Sequence, residues 1–239
     1  MQHILQTGRF SPALLLCLVL LTAGAAAADV IVGLPADTGT GNCFPFGCAY
    51  NEEYQQVYSH TQFGGPITVT NLEFYNTQFN SGATAMNSGL WTISLSTSSA
   101  DWNTLSSNFA SNLGPDNTIV FSGNLSQPWA FGDTLHITLS TPFTYDPSKG
   151  NLLMDVVASG TTNPGGNIFF DTNGYNAGGR NGNTFLGRVY HNSGNIDSGY
   201  GLVTGFSTGS TTIPEPGSFA MLGLGLAGLA AGIRRRRNG

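Results

Sequence analysis

Two short runs carry the plainest hydrophobic pattern in the chain. Trp91, Ile93 and Leu95 alternate with Thr92, Ser94 and Ser96, and Leu135, Ile137 and Leu139 alternate with Thr134, His136, Thr138 and Ser140. Strand side chains point to opposite faces in turn, so each run predicts a strand with one face buried and one wet. Ile67 and Val69 share a phase that Leu72 and Phe74 do not, which predicts a bulge or bend near Thr70–Asn71 keeping all four inward. Leu152–Ala158 is almost continuously apolar, as in a central strand covered on both faces. Asp155 within it then needs a polar partner or a solvent-facing position. Further strands are expected at Tyr54–His60, Thr118–Ser122, Asn167–Asp171, Phe185–His191 and Tyr200–Phe206. The turn-rich stretches 163–166 and 173–183 separate some of them. Trp102, Leu105 and Phe109, spaced three then four, predict a short helix or turn laid over the end of the sheets. Many short strands without alternating helices predict an all-β fold, a β-sandwich of jelly-roll type.

Both ends of the chain are patterned differently. Arg9, the apolar Ala13–Leu21 and the small residues Ala23–Ala28 read as a secretory signal peptide over residues 1–28. Ala26 and Ala28 place signal peptidase cleavage before Asp29, and Cys17 leaves with the signal. Residues 29–206 form the expected ectodomain, 207–212 a Ser/Thr/Gly linker, and 213–239 a three-part tail. The tail consists of Pro214, Glu215 and Pro216, then the apolar Phe219–Ile233, then Arg234, Arg235, Arg236 and Arg237. As a helix the apolar run reaches roughly 22 Å, against a hydrocarbon core of ~30 Å. Gly217, Ser218 and snorkelling arginines extend it to a short transmembrane helix. The arginine block acts as a cytoplasmic stop, leaving everything before Pro214 outside. This tail resembles the PEP-CTERM sorting signal of bacterial surface proteins, with Ile213 where that family more often has valine. The resemblance implies recognition of the Pro-Glu-Pro box by an exosortase. Ser106–Gly123 and Pro142–Val157 are similar to recurring blocks in secreted β-sandwich proteins carrying such a tail.

Charge narrows the partners. Between Asp29 and Thr212, Lys149, Arg180 and Arg188 stand against twelve acids, a net charge of −9. Such a surface argues against nucleic acid or anionic lipid as a partner. Cys43 and Cys48 enclose Phe44–Gly47, and an oxidising compartment favours a disulfide between them over a metal site.

Catalytic signatures are weak. Gly205–Gly209 matches G-x-S-x-G, but no histidine follows Ser207 and no strand-to-helix turn is expected there. His60, His136 and His191 are scattered, and Glu52 and Glu53, being adjacent, point to opposite strand faces. No metal centre or cofactor is expected, apart from a structural calcium for which Asp171–Gly174 and Asp146–Asn151 offer loop oxygens. Trp91 has inward phase, and Trp102 is expected beneath its helix. Trp129, Tyr145 and Tyr175 are the aromatics proposed as sugar contacts, with Trp129 ranked first.

Together these features point to an exported, non-enzymatic surface or matrix protein associated with exopolysaccharide. It begins as a precursor held in the inner membrane by its C-terminal helix, then passes to the cell surface or extracellular matrix. Its processing partners are signal peptidase and exosortase. A dedicated carbohydrate-binding module is the first alternative and a secreted jelly-roll hydrolase the second. N-terminal sequencing of the exported protein is expected to begin at or near Asp29; an intact Met1 would contradict the signal peptide.

Overall fold

The computed structural model describes residues 28–208 apart from Pro164. Most of the expected signal peptide, the linker beyond Thr208, the Pro-Glu-Pro box, the apolar run and the arginines lie outside the described residues. The first strands are β1 (Val30–Val32), β2 (Glu53–Tyr58), β3 (Ile67–Tyr75), β4 (Ser88–Ser98) and β5 (Thr118–Gly123). They are followed by β6 (Thr134–Tyr145), β7 (Asn151–Thr162), β8 (Thr172–Asn173), β9 (Tyr175–Asn176) and β10 (Gly179–Arg180). The last are β11 (Leu186–Tyr190), β12 (Asn195–Ser198), β13 (Gly201–Leu202) and β14 (Thr204–Thr208).

A four-stranded sheet has the order β1-β14-β3-β6, and a six-stranded sheet the order β12-β11-β2-β7-β4-β5. Neighbours within both are antiparallel. From β1 to β7 the chain changes sheet at every step except the β4–β5 pair, and β14 returns it to the smaller sheet. The sheets share one apolar core. Phe206 of β14 meets Tyr58 of β2 edge to face at 4.9 Å, and the Tyr58 and Thr204 hydroxyls lie 2.9 Å apart. The sheets also touch along one margin, where the Ser140 hydroxyl donates to the Val120 carbonyl.

The alternating runs fold as their pattern requires. Leu135, Ile137 and Leu139 are buried on β6, while His136, Thr138 and Ser140 face outward. The β3–β6 register shifts between Val69 and Asn71, and this irregularity turns Ile67, Val69, Leu72 and Phe74 all inward. On β4 the inward side is Trp91, Ile93 and Leu95, but the opposite side is not wet. Ser94, Ser96 and Ser98 are buried because the segment after β4 folds back across that face. Ser98 donates to the Asn112 carbonyl, and Ser96 accepts the Gly114 N–H.

The same segment explains β7, which lies between β2 and β4 and is covered on both sides from Asn151 to Val156, whereas Val157, expected to be covered too, is exposed. Leu152, Met154 and Val156 enter the main core, while Leu153 packs with Val57 and Leu105 on the other face. The segment is not the expected helix over Trp102–Phe109. It forms turns from Trp102 and then a 3-10 turn at Phe109–Asn112, and it lies across the face of the large sheet rather than its end. Its close approach depends on Gly187, where an added Cβ would meet the Trp102 carbonyl oxygen.

Two expected strands also differ. Residues 167–171 contribute only an isolated bridge between Phe170 and Asn42, because their N–H groups pair with loop carbonyls such as that of Gly47. The strand expected over Tyr200–Phe206 is divided into β13 and β14, with the Val203 N–H donating to the Asp171 carbonyl between them. Ser207 and Thr208, expected to open the linker, belong to β14. The Ser207 hydroxyl donates to Glu73, so it is held within the sheet rather than at a nucleophile turn.

Cys43 and Cys48 are joined by a disulfide, with Cα atoms 5.2 Å apart. The loop they close drives Phe46 into the core against Phe74, 4.7 Å between ring centres. It also offers the Pro45 carbonyl to the buried Trp91 indole N–H at 3.2 Å. Phe46→Ala is expected to lower stability in urea denaturation by about 3–5 kcal/mol, because a fully buried ring leaves a cavity. Replacing both cysteines with serine removes only short-loop closure entropy and should cost about 2 kcal/mol. A smaller loss for Phe46→Ala than for the cysteine pair would contradict this role of the loop.

Candidate functional site

Of the three aromatic residues proposed for sugar contact, the structure leaves one at the surface. Trp129 is buried, its ring edge-on to Phe170 at 5.7 Å. Its segment is stitched to the chain at Thr84–Met86 by the Trp129 N–H to Thr84 and the Met86 N–H to Gln127, which turns the indole inward. Tyr145 is also buried. It shares the odd phase of Leu135, Ile137 and Leu139, packs on Phe63 and donates its hydroxyl to the Gly150 carbonyl at 2.7 Å. Tyr175 is 53% exposed and lines a cleft of about 220 Å³.

That cleft is built on the β9–β10 hairpin. Tyr175 and Arg180 are direct cross-strand partners, and such partners project from the same face of a ribbon. The hairpin is secured at its base by Asp37, whose carboxylate accepts the N–H groups of Gly174 and Tyr175 and the Thr172 hydroxyl. Gly174 has φ +108°, and an added Cβ would meet the Gly199 carbonyl oxygen, so only glycine suits this base. Phe79 and Phe169, edge to face at 4.8 Å, line the cleft together with Gly39–Gly41 and Tyr200.

Arg180 stands at the exposed end of a charged stack. Arg188, on β11, is fully buried with its guanidinium 4.4 Å from the Tyr190 ring centre and 4.6 Å from that of Tyr200. Its Nε donates to Asp197 Oδ2 at 2.8 Å and its Nη2 lies 2.7 Å from the same oxygen. Burial opposes the charge of Arg188, but Tyr54, Asp197 and Tyr200 together hold its pKa above the ordinary value. Arg180 approaches that carboxylate more loosely, at 3.6 Å through Nη1, and the same Nη1 lies 3.4 Å from the Tyr190 hydroxyl. The sequence pattern did not reveal Arg180, Phe79, Phe169, Tyr200 or Asp197 as neighbours. The only signal was that Arg180 is one of three cations in an acidic domain.

A second polar cluster lies on the outer face of the large sheet. Asp155 accepts from the Gln55 amide at 3.1 Å and the Ser94 hydroxyl at 3.3 Å, supplying the partners its buried position demands. Glu53, two residues before Gln55 on β2, shares its strand face and interacts electrostatically with Asp155. Burial, followed by the Asp155 charge, pushes Glu53 up to about 7. Burial also raises Asp155 above the usual carboxylate range. Glu52 points away from this pair. It receives the Asn192 N–H and lies 3.0 Å from His191 Nδ1, contacts that lower its pKa.

The two loops considered for calcium use their carboxylates on local donors. Asp171 accepts the N–H groups of Thr77 and Gln78 and the Thr77 hydroxyl, while Asp146 accepts the N–H and hydroxyl of Ser148. Among the described residues, no group of three or more His, Cys, Asp or Glu side chains converges.

The comparison with protein families finds the PEP-CTERM protein-sorting motif at residues 212–237. That interval takes in the Pro-Glu-Pro box, the apolar run and all four terminal arginines. The chain carries a PEP-CTERM sorting signal. The motif marks an exported protein that exosortase directs to the cell surface. Neither the curated proteins nor the solved structures compared with the chain give a match. Among the described residues, no helix is long and apolar enough to cross a membrane. The PEP-CTERM signal follows β14 in the sequence, and Thr208, the last residue of β14, donates its N–H to Asp29 at 2.8 Å, so the two ends of the described residues lie side by side.

The carboxyl pair of this PEP-CTERM chain gives a pH dependence whose sign is fixed. Glu53 titrates higher folded than its ordinary value of 4.5, so it binds a proton more tightly in the native state. Its contribution to stability is full below pH 4.5 and is lost as pH rises through about 7. Thermal unfolding is expected to give a lower melting temperature at pH 8 than at pH 5, and Glu53→Gln should reduce that fall. Equal pH slopes for wild type and Glu53→Gln would show that the pair does not share a proton in this way.

Proposed function

We propose that this protein is a non-enzymatic component of the cell surface or extracellular matrix that associates with exopolysaccharide. The PEP-CTERM motif is the observation that carries the reading, because it supplies an extracytoplasmic destination. The tail acts as a transient anchor. Its apolar segment holds the precursor in the inner membrane, its four arginines stay cytoplasmic, and its two prolines keep the segment before the helix extended for cleavage. Signal peptidase acts first, and Asp29 fits a mature terminus because its carboxylate already belongs to the folded domain through Thr208.

The ectodomain is read as a jelly-roll sandwich. Its support is the strand order, in which β1-β14-β3-β6 opposes β2-β7-β4-β5 and successive strands cross between the sheets, with β11 and β12 added at one margin. Such a frame suits a carbohydrate-binding role, and the cleft of Tyr175, Arg180, Phe79 and Phe169 favours that more specific alternative. A hydrolase of the same architecture gains less support from the cluster at Glu53 and Asp155. The Asp155 carboxylate is engaged by the Gln55 amide and the Ser94 hydroxyl within the packed outer layer, and neither acid lines the cleft.

In a host containing an exosortase, the surface form is expected to lack Phe219–Gly239. Glu215→Ala should be exported normally yet accumulate as an uncleaved precursor in the membrane fraction. Normal processing of Glu215→Ala, or arginines still present on the surface protein, would replace the sorting reading with a permanent anchor. Retention of the mature protein in isolated matrix, reversed by digesting the polysaccharide, tests the association itself.

A further inference from the structure

We propose that the β9–β10 cleft binds a carboxylated sugar ring, so that the polysaccharide this protein holds is an acidic, uronate-bearing one. The inference rests on the exopolysaccharide reading above and specifies the ligand class within it.

Tyr175 supplies the platform. More than half of this residue is exposed, on a two-residue strand whose partner Arg180 projects from the same face. Aromatic faces pack against the C–H surface of a sugar ring through apolar contact, and Tyr loses little rotamer entropy in doing so. The ring pair Phe79 and Phe169 adds apolar surface along the cleft. At about 220 Å³ the cleft is sized for one ring rather than a long segment of chain.

Arg180 supplies the selectivity. Its two polar contacts, to Asp197 and to the Tyr190 hydroxyl, both use Nη1. The guanidinium carbon lies 5.4 Å from the centre of the Tyr200 ring, and the opposite edge, Nε with Nη2, carries no hydrogen bond among the described residues. That edge presents two parallel N–H donors, the geometry that grips a carboxylate in a bidentate pair. Arg188 turns the same edge toward Asp197, its Nε hydrogen-bonded to Oδ2 and its Nη2 2.7 Å from that same oxygen. One carboxylate therefore faces two guanidinium groups, and the outer one remains under-neutralised. Asp37, the other acid at the hairpin, is occupied with Thr172 and the N–H groups of Gly174 and Tyr175.

The chemistry of the ligand follows from the spacing of the two groups. Cross-strand neighbours hold their Cβ atoms about 4.5–5.5 Å apart. A pyranuronate carries its carboxylate on C5, beside the ring rather than above it. A ring laid on Tyr175 can thus direct that carboxylate to the neighbouring guanidinium edge. The net charge of −9 opposes a polyanion at long range, so uronate binding depends on the local contact with Arg180. Added salt weakens that local ion pair while it also screens the domain's repulsion of the polymer.

The test uses the mature secreted protein and two soluble polymers, polygalacturonate and the neutral glucan dextran, in affinity electrophoresis at low and physiological salt. Polygalacturonate should retard the wild type and dextran should do so far less. Arg180→Gln should weaken uronate binding roughly tenfold or more, Arg180→Lys should recover only part of it, and Tyr175→Ala should weaken it independently. Both residues are exposed, so melting temperatures should match the wild type; should Arg180→Gln unfold, Tyr175→Ala carries the test. Preference for dextran, or uronate binding indifferent to both substitutions, overturns the assignment. Retention of both variants in native matrix as strongly as wild type overturns this site alone. Loss of wild-type retention after washing overturns the polysaccharide reading beneath it.

Discussion

Strand β7 must be covered twice, and much of the molecule is arranged around that constraint. Its run of leucine, methionine and valine presents apolar groups to both faces, so neither can be left to water without forfeiting burial. The smaller sheet covers one side. The other is covered by the segment after β4, whose turns bring Leu105 to Val57 and Leu153. Closing that second layer carries polar groups inside with it. Asp155, Gln55, Ser94 and Asn112 become one connected network, in which the Gln55 amide also donates to the Phe109 carbonyl and accepts from Asn112. Satisfied networks of this kind pin a single arrangement, because any member left without its partner would incur its full desolvation cost.

What could be read from the residues, and what could not, divides along physical lines. Period-two alternation reports which side of a strand a residue occupies, and it placed Ile67, Val69, Leu72 and Phe74 together once a bulge was allowed. It does not report what covers the other side, so the serines of β4 looked wet although a later loop buries them. The three-then-four spacing of Trp102, Leu105 and Phe109 imitated a helix because turns can also aim successive apolar residues at one surface. Tyr145 could have been placed correctly by extending the odd phase of β6 past Pro142. Trp129 had no such cue: its burial depends on a bridge between Ala85 and Pro128, more than forty residues apart.

The cleft was the least legible part. Its walls come from residues 39–41, 79, 169, 175, 180 and 200, which no local pattern connects. They converge because Asp37 ties down the hairpin and because a fully buried arginine requires a counter-ion. Arg188 lies opposite Gln56 in the β2–β11 register and so shares its face with the core tyrosines. A charge in that position is tolerable only with paired hydrogen bonds. Asp197 accepts one such bond, from Nε, and the two tyrosine rings face the charge while Nη1 and Nη2 make no hydrogen bond; this cluster sets Arg180 at the rim.

The adjacency of β1 and β14 has a mechanical consequence for any load applied at the C-terminal end of β14, which enters through Thr208. That residue ends a strand flanked on both sides, by β1 and by β3. Force directed along β14 slides it against two ladders at once, so their hydrogen bonds resist together instead of opening one by one. Asp29 clasps the same end of the strand. A pull at that end therefore loads a strand held in shear, which resists without peeling from its neighbours.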